Sequence, residues 1–99
     1  MAVSLDPEQA ETRVIHELVD FRGTDVLDVG CGDGRMTWRF AERTRSVLGL
    51  DPLAACVGQA RACTPEHLRP RVRFEEADIT TTALPRAAFD VVVFSWSMC

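Results

Sequence analysis

Three glycines on alternate positions, Gly30, Gly32 and Gly34, follow an acidic residue, Asp28. A ligand approaches backbone closely only where no Cβ intervenes, and glycine accepts positive φ in a tight turn. The spacing is G-x-G-x-G with Arg35 next. A turn that seats a dinucleotide pyrophosphate on a helix N-terminus reads G-x-G-x-x-G instead. A second acid, Asp51, ends the next apolar segment. A carboxylate placed there can accept bonds from both hydroxyls of an adenosine ribose, a device common to more than one nucleotide cofactor. Each feature also has a plainer use. A glycine-rich turn can simply connect a strand to a helix, and Asp51 can cap a helix opening at Pro52.

These residues need a frame that brings them to one rim. Val26-Leu27-Asp28-Val29, Ser46 to Asp51, Arg71 to Glu76 and Phe89 to Phe94 are short apolar or β-branched segments, read as four strands. Helical patterns separate them. Arg35 to about Arg43 carries Met36, Trp38, Phe40 and Ala41, and a helix from Pro52 to Thr64-Pro65 carries Leu53, Ala54, Cys56, Val57 and Ala60. A loop or short helix covers Asp78 to Ala88. Ahead of the first strand, Asp6-Pro7-Glu8-Gln9 reads as a capped helix start, with Ala10, Val14, Ile15, Leu18 and Val19 at helical spacing. The order predicts an α/β fold: a Rossmann-like parallel sheet with helices on both faces, residues 1–23 forming an N-terminal helix and residues 24–99 the domain itself. In such a sheet ligands bind beyond the carboxyl ends of the strands. Those ends carry the glycine turn, Asp51, Ala77-Asp78-Ile79 and Ser95-Trp96-Ser97.

Composition removes other classes. At 99 residues with 46% hydrophobic and 26% charged residues, the chain suits one globular unit rather than a disordered or membrane-spanning one. The first residues show no signal-peptide pattern, so the cytoplasm is the expected location. The net charge of -4 argues against a nucleic-acid backbone as partner, and Arg69, Arg71 and Arg73 read as a solvated basic edge. Every basic residue is Arg, with no Lys, Asn or Tyr, which points to a GC-rich coding bias. Cys31, Cys56, Cys63 and Cys99 match neither a zinc pattern nor a disulfide framework, and they read as small buried hydrophobes. Cys56 and Cys63 could share a helix face. No metal site is expected, and His16 and His67 read as solvated or locally bonded.

Taken in order, Val26 to Gly34 resembles motif I of the class I S-adenosylmethionine-dependent methyltransferases. Leu50-Asp51 resembles the acidic end of their second strand, Ala77-Asp78-Ile79 the segment that contacts adenine, and Phe89 to Ser95 their fourth-strand motif. The resemblance runs from about Asp25 to Met98 and implies S-adenosyl-L-methionine as cofactor. It implies that Gly30, Gly32 and Gly34 line the methionine and ribose portion, and that Asp28 orients the methionine ammonium directly or through water. It gives Asp51 the ribose hydroxyls, Leu53 a packing contact with adenine, and Asp78 the adenine amino group, with Ile79 offering its backbone. Ser95 and Trp96 would border the methyl-transfer centre. Ser95-Trp96-Ser97-Met98 is closer to methyltransferases acting on small molecules than to those acting on amino groups of bases or glutamine. No residue stands out as a catalytic base, consistent with an in-line displacement that depends on alignment and water exclusion.

The sequence also departs from the family, ending after the fourth strand with the resemblance covering only the N-terminal half of such a domain. The expectation is a fragment without turnover, its fourth strand left as an apolar edge open to self-association. An NAD-dependent oxidoreductase fragment is the competing enzyme reading, disfavoured by the glycine spacing.

Overall fold

All four apolar segments become strands of one parallel sheet, and a fifth strand joins them from the N-terminus. The computed structural model describes residues 2–4, 20–34, 37–78 and 88–94. Its strands are β1 (Ala2–Ser4), β2 (Asp25–Val29), β3 (Ser46–Asp51), β4 (Val72–Glu76) and β5 (Val91–Phe94), in the spatial order β1-β5-β2-β3-β4. Each pair is parallel, with Val26 beside Val47 and Val91, and Val47 beside Val72. Parallelism puts every carboxyl end on one rim. The order reverses at β2, which has β3 on one side and β5 on the other. That reversal is where open α/β sheets form a ligand crevice.

Successive side chains of a strand point to opposite faces, so β2 sends Val26 and Asp28 one way and Leu27 and Val29 the other. On the first face Val26, Val47, Val72, Phe74, Val91 and Val93 pack with two helices, α1 (Trp38–Ala41) and α2 (Ala54–Cys63). Phe40 of α1 stacks on Phe21 at a centroid distance of 4.7 Å. On the second face Leu27, Val29, Leu50 and Val92 form a smaller buried cluster. Strands buried on both faces read as continuous apolar runs, which is why β2 and β5 were legible.

The amino ends are tied separately. The Arg45 guanidinium and the Ser46 hydroxyl both donate to the Asp25 carboxylate, and Asp90 accepts from the Asp25 amide at 2.9 Å. The Arg45 bond, with Ser46 second, holds the Asp25 carboxyl down to about 2.

Several expectations change. β5 is paired on both sides, because Ala2–Ser4 lies parallel beside Val92–Phe94. The exposed edge expected at the fourth strand therefore does not hold: β1 occupies that side of Val92–Phe94. The second helix starts at Ala54 rather than Pro52, since Leu53 keeps an extended conformation. Of the first, the described residues hold Trp38–Ala41, while Arg35 and Met36 lie outside them. Cys56 is buried and disulfide-bonded, whereas Cys63 of the same helix is an exposed free thiol, so the two do not share a buried face. His67 is exposed, as expected, and its ring meets Glu42, distant in sequence, at 2.9 Å. The N-terminal helix expected after Asp6 falls, apart from its last residues, outside the described residues. No helix among them is long and apolar enough to cross a membrane.

Candidate functional site

The glycine turn hangs from the end of β2 and is held by its neighbour β3. The amides of Gly30 and Cys31 both donate to the Leu50 carbonyl, at 2.8 and 3.1 Å. All three glycines adopt positive φ: Gly30 +75°, Gly32 +57° and Gly34 +91°. A side chain at Gly34 would also collide with the Trp38 ring, whose Cζ2 stands 2.6 Å from where a Cβ would be. The turn is thus close-packed against Trp38 at Gly34.

Asp51 completes this turn. Its carboxylate accepts the Gly32 amide at 3.0 Å through Oδ2 and the Leu53 amide at 2.9 Å through Oδ1. An ionised carboxylate has about four lone-pair sites, so each oxygen retains one for a ligand hydroxyl. The side chain is 5% exposed, which sets aside an exposed cap as its sole role: it joins the end of β3 to the glycine turn and to the residue before α2. Leu53, beside it, is 61% exposed and is the one large hydrophobic so placed among the described residues. The Ala77 amide donates to the Asp51 carbonyl at 3.0 Å, which carries the exposed Asp78 to the same rim.

Asp28 lies beneath the turn. It is fully buried, and its Oδ2 accepts a 2.6 Å bond from the hydroxyl of Thr37, itself fully buried. Thr37 was not legible as a site residue, because the helix was expected to start at Arg35 and would have placed Thr37 inside it. Cys31 is buried as well. Burial pushes its thiol well above the ordinary range, and the charges of Asp28 and Asp51 push the same way, so it is an inert neutral group. Trp38 props the turn from below, its ring edge-on to Phe74 at 5.5 Å. Asp28, Gly30, Gly32, Gly34, Asp51, Leu53 and Asp78 therefore gather around one rim. Ile79, Ser95 and Trp96 lie outside the described residues.

A groove of about 440 Å³ lies elsewhere, along the outer side of β4, with Arg61, Arg69, Arg73 and Glu75 in its walls. It holds nothing suited to the chemistry of the rim. Arg61 donates twice to the Phe74 carbonyl, at 3.0 and 2.7 Å, and Arg69 to the Thr64 carbonyl. This is how a charged side chain blunts an edge strand. Arg71 is likewise occupied, on the Glu42 and Thr44 carbonyls. No cluster of metal-ligating side chains occurs among the described residues.

The rim is a fit for a nucleoside-bearing cofactor: side-chain-free, positive-φ backbone, an oriented carboxylate with acceptor sites left, and an exposed apolar residue beside it. Comparison with known proteins narrows that class. Residues 26–99 match the methyltransferase domain family. An uncharacterized methyltransferase of Mycobacterium tuberculosis is 41% identical over 68 residues, which are 69% of this chain and 33% of that protein. Nocamycin O-methyltransferase of Saccharothrix syringae is 37% identical over 89 residues, 86% of this chain and 32% of that one. Among solved structures, an S-adenosylmethionine-dependent methyltransferase from Mesorhizobium loti superposes with a TM-score of 0.68 at 30% identity, over 85% of this chain and 36% of that one. The chain spans about a third of the length of the curated relatives it matches.

Proposed function

Because the chain belongs to the class I S-adenosylmethionine-dependent methyltransferases, we propose that its rim binds S-adenosyl-L-methionine and that these residues form the cofactor-binding half of an enzyme methylating a small molecule. The observation that carries this reading is Asp51, whose two oxygens are already oriented by the Gly32 and Leu53 amides. Pre-orientation means that little freedom is lost when two ribose hydroxyls bind.

The cofactor supplies an activated methyl group on a sulfonium. The chain's own residues hold and place it. Gly30, Gly32 and Gly34 leave the backbone open to the methionine and ribose portion, and Asp28 places negative charge beneath the methionine ammonium. Full burial of Asp28 favours action through an intervening water or through its field over direct contact. Asp51 takes the ribose hydroxyls, Leu53 lies against the adenine face, and Asp78 accepts from the adenine amino group while Ile79 offers its backbone. Ser95 borders the transfer centre. An in-line displacement calls for alignment and dryness more than for a base, and none is assigned.

A small-molecule acceptor is supported by the name of the nocamycin O-methyltransferase. A nucleic-acid acceptor is disfavoured by the net charge of -4 and by the occupied guanidinium groups of Arg61, Arg69 and Arg71. The cytoplasm is the proposed compartment; Cys56, buried in α2, would pack there equally well as a thiol. The test separates binding from turnover. S-Adenosylhomocysteine binding is followed by calorimetry, and transfer of a labelled methyl group is measured across a panel of small hydroxy and carboxy acceptors. The expected result for the 99 residues is binding without transfer. Transfer would contradict the assignment of a half-enzyme, and absence of binding would contradict the site.

A further inference from the structure

We propose that Glu76 is a specificity-determining residue, which keeps ribose-phosphorylated nucleotides out of the cofactor site by setting a second negative charge beside Asp51. The proposal rests on the ribose role given to Asp51 above. β3 and β4 are parallel, and Asp51 stands opposite Glu76 as the last pair of their ladder. The Ala77 amide closes that pair on the Asp51 carbonyl at 3.0 Å. Adjacent strands lie about 4.8 Å apart, and the side chains of a strand alternate between its faces. Val47, Val72 and Phe74 are buried on the face that carries α1 and α2. Alternation along β3 puts Asp51 on the face of Val47, and alternation along β4 puts Glu76 on the face of Phe74, so the two acids are same-face neighbours.

The two differ in what holds them. Asp51 is buried, and the Gly32 and Leu53 amides bond both of its oxygens. Glu76 is exposed, and it has no hydrogen-bond or ion-pair partner among the described residues. Arg61 of α2 is bonded to the Phe74 carbonyl rather than to Glu76. A free ribose diol brings two donors to Asp51 and no charge. A phosphate on either oxygen removes a donor and adds about 1.5 to 2 negative charges, which Asp51 and Glu76 then repel together. Across about 6 Å of water-like medium, one carboxylate lowers the affinity of such a group about three- to tenfold.

If Asp51 alone set this preference, removing the Glu76 charge would leave it unchanged. The experiment displaces S-adenosylhomocysteine from the parent, Glu76→Gln and Glu76→Arg with adenosine and with its 2′-, 3′- and 5′-monophosphates. The 5′-monophosphate carries the same charge but keeps the diol, so it reports the general field of the chain. Glu76→Gln should tighten the 2′- and 3′-monophosphates by about three- to tenfold, leave adenosine and S-adenosylhomocysteine unchanged, and move the 5′-monophosphate by less. Glu76→Arg should tighten the 2′- and 3′-monophosphates further, and both gains should shrink at about 1 M salt. No gain for these two ligands in either variant, failure to bind them at all included, overturns the proposal. An equal gain by the 5′-monophosphate overturns it as well, and so does weakened S-adenosylhomocysteine binding in Glu76→Gln, since Glu76 would then hold the cofactor. An Asp51→Ala variant that binds S-adenosylhomocysteine like the parent overturns the ribose role of Asp51 instead, which is a different failure.

Discussion

Substituting Gly34 by Ala adds one methyl group at the point where the glycine turn meets Trp38, and the structure separates its costs. Gly34 has φ +91°, and a Cβ there would stand 2.6 Å from Trp38 Cζ2 and 3.1 Å from Cε2. The ring is also engaged by an edge contact with Phe74 at 5.5 Å, which limits how far it can yield. Positive φ costs an L-residue about 1–2 kcal/mol. Forcing a methyl into filled space costs about 1–3 kcal/mol more. The sum, about 2–5 kcal/mol, is a large share of the roughly 5–15 kcal/mol that stabilises a whole domain. Gly23 is the internal control: its φ is +68°, and nothing lies within 4 Å of a Cβ built there. Gly23→Ala should cost only the backbone part, about 1–2 kcal/mol. Urea unfolding of both variants gives the difference, with unchanged m-values required for the comparison. Trp38→Leu removes the obstructing ring, so in the Gly34→Ala/Trp38→Leu double variant the alanine should cost about 1–3 kcal/mol less than it does alone. A Gly34→Ala variant no less stable than Gly23→Ala, or the absence of coupling to Trp38, would refute the reasoning.

Other outcomes follow from single contacts. Gly49→Ala directs its Cβ to 2.5 Å from the Phe74 ring without a positive φ, so it should cost about 1–3 kcal/mol by denaturant unfolding, recovered in part by Phe74→Leu. Asp51→Ala should weaken S-adenosylhomocysteine binding by about 1.5–3 kcal/mol in calorimetry, and Asp51→Asn by less, since an acceptor oxygen remains; parent-like binding by a folded Asp51→Ala would remove the ribose role. The Asp25 carboxyl titrates at about 2 when folded, mainly through Arg45, below the usual value near 3.9. Its contribution to stability is thus complete above about pH 4 and vanishes as the pH falls through about 2, so Asp25→Asn should flatten the stability profile in that window. An unchanged slope in urea midpoints there would contradict the assignment. Disulfide reagent should modify exposed Cys63 before buried Cys31, whose thiol is shifted upward by burial; mass spectrometry of the early adduct decides.

Much of the frame could be read in one dimension because its signals are local. The β-branched run Val91-Val92-Val93 and the Val26-Leu27-Asp28-Val29 segment announce buried strands whatever surrounds them. Ala2–Ser4 could not be found this way. It is three residues long, carries no pattern, and gains its bonds from Val92–Phe94 at the far end of the chain. The same division runs through the site. Glycine spacing and two acids at strand ends suggested a nucleoside cofactor. That both Asp51 oxygens meet backbone amides, and that the Thr37 hydroxyl reaches Asp28, depends on three-dimensional approach. Trp38 looked like an ordinary apolar helix position, and its contact with Gly34 appears only once the turn is closed. The Cys56 bond was illegible for the same reason as β1, since it depends on which segments fold together.

The central claim is that the rim formed by Asp28, Gly30, Gly32, Gly34 and Asp51 recognises S-adenosylmethionine rather than a dinucleotide. It is tested most directly by parallel calorimetric titrations of the folded chain with S-adenosylhomocysteine and with NAD. The account predicts a saturable S-adenosylhomocysteine isotherm with one site per chain, weakened about 10- to 150-fold in Asp51→Ala, and weaker or undetectable binding of NAD. Tighter binding of NAD, or S-adenosylhomocysteine binding indifferent to Asp51, would contradict it.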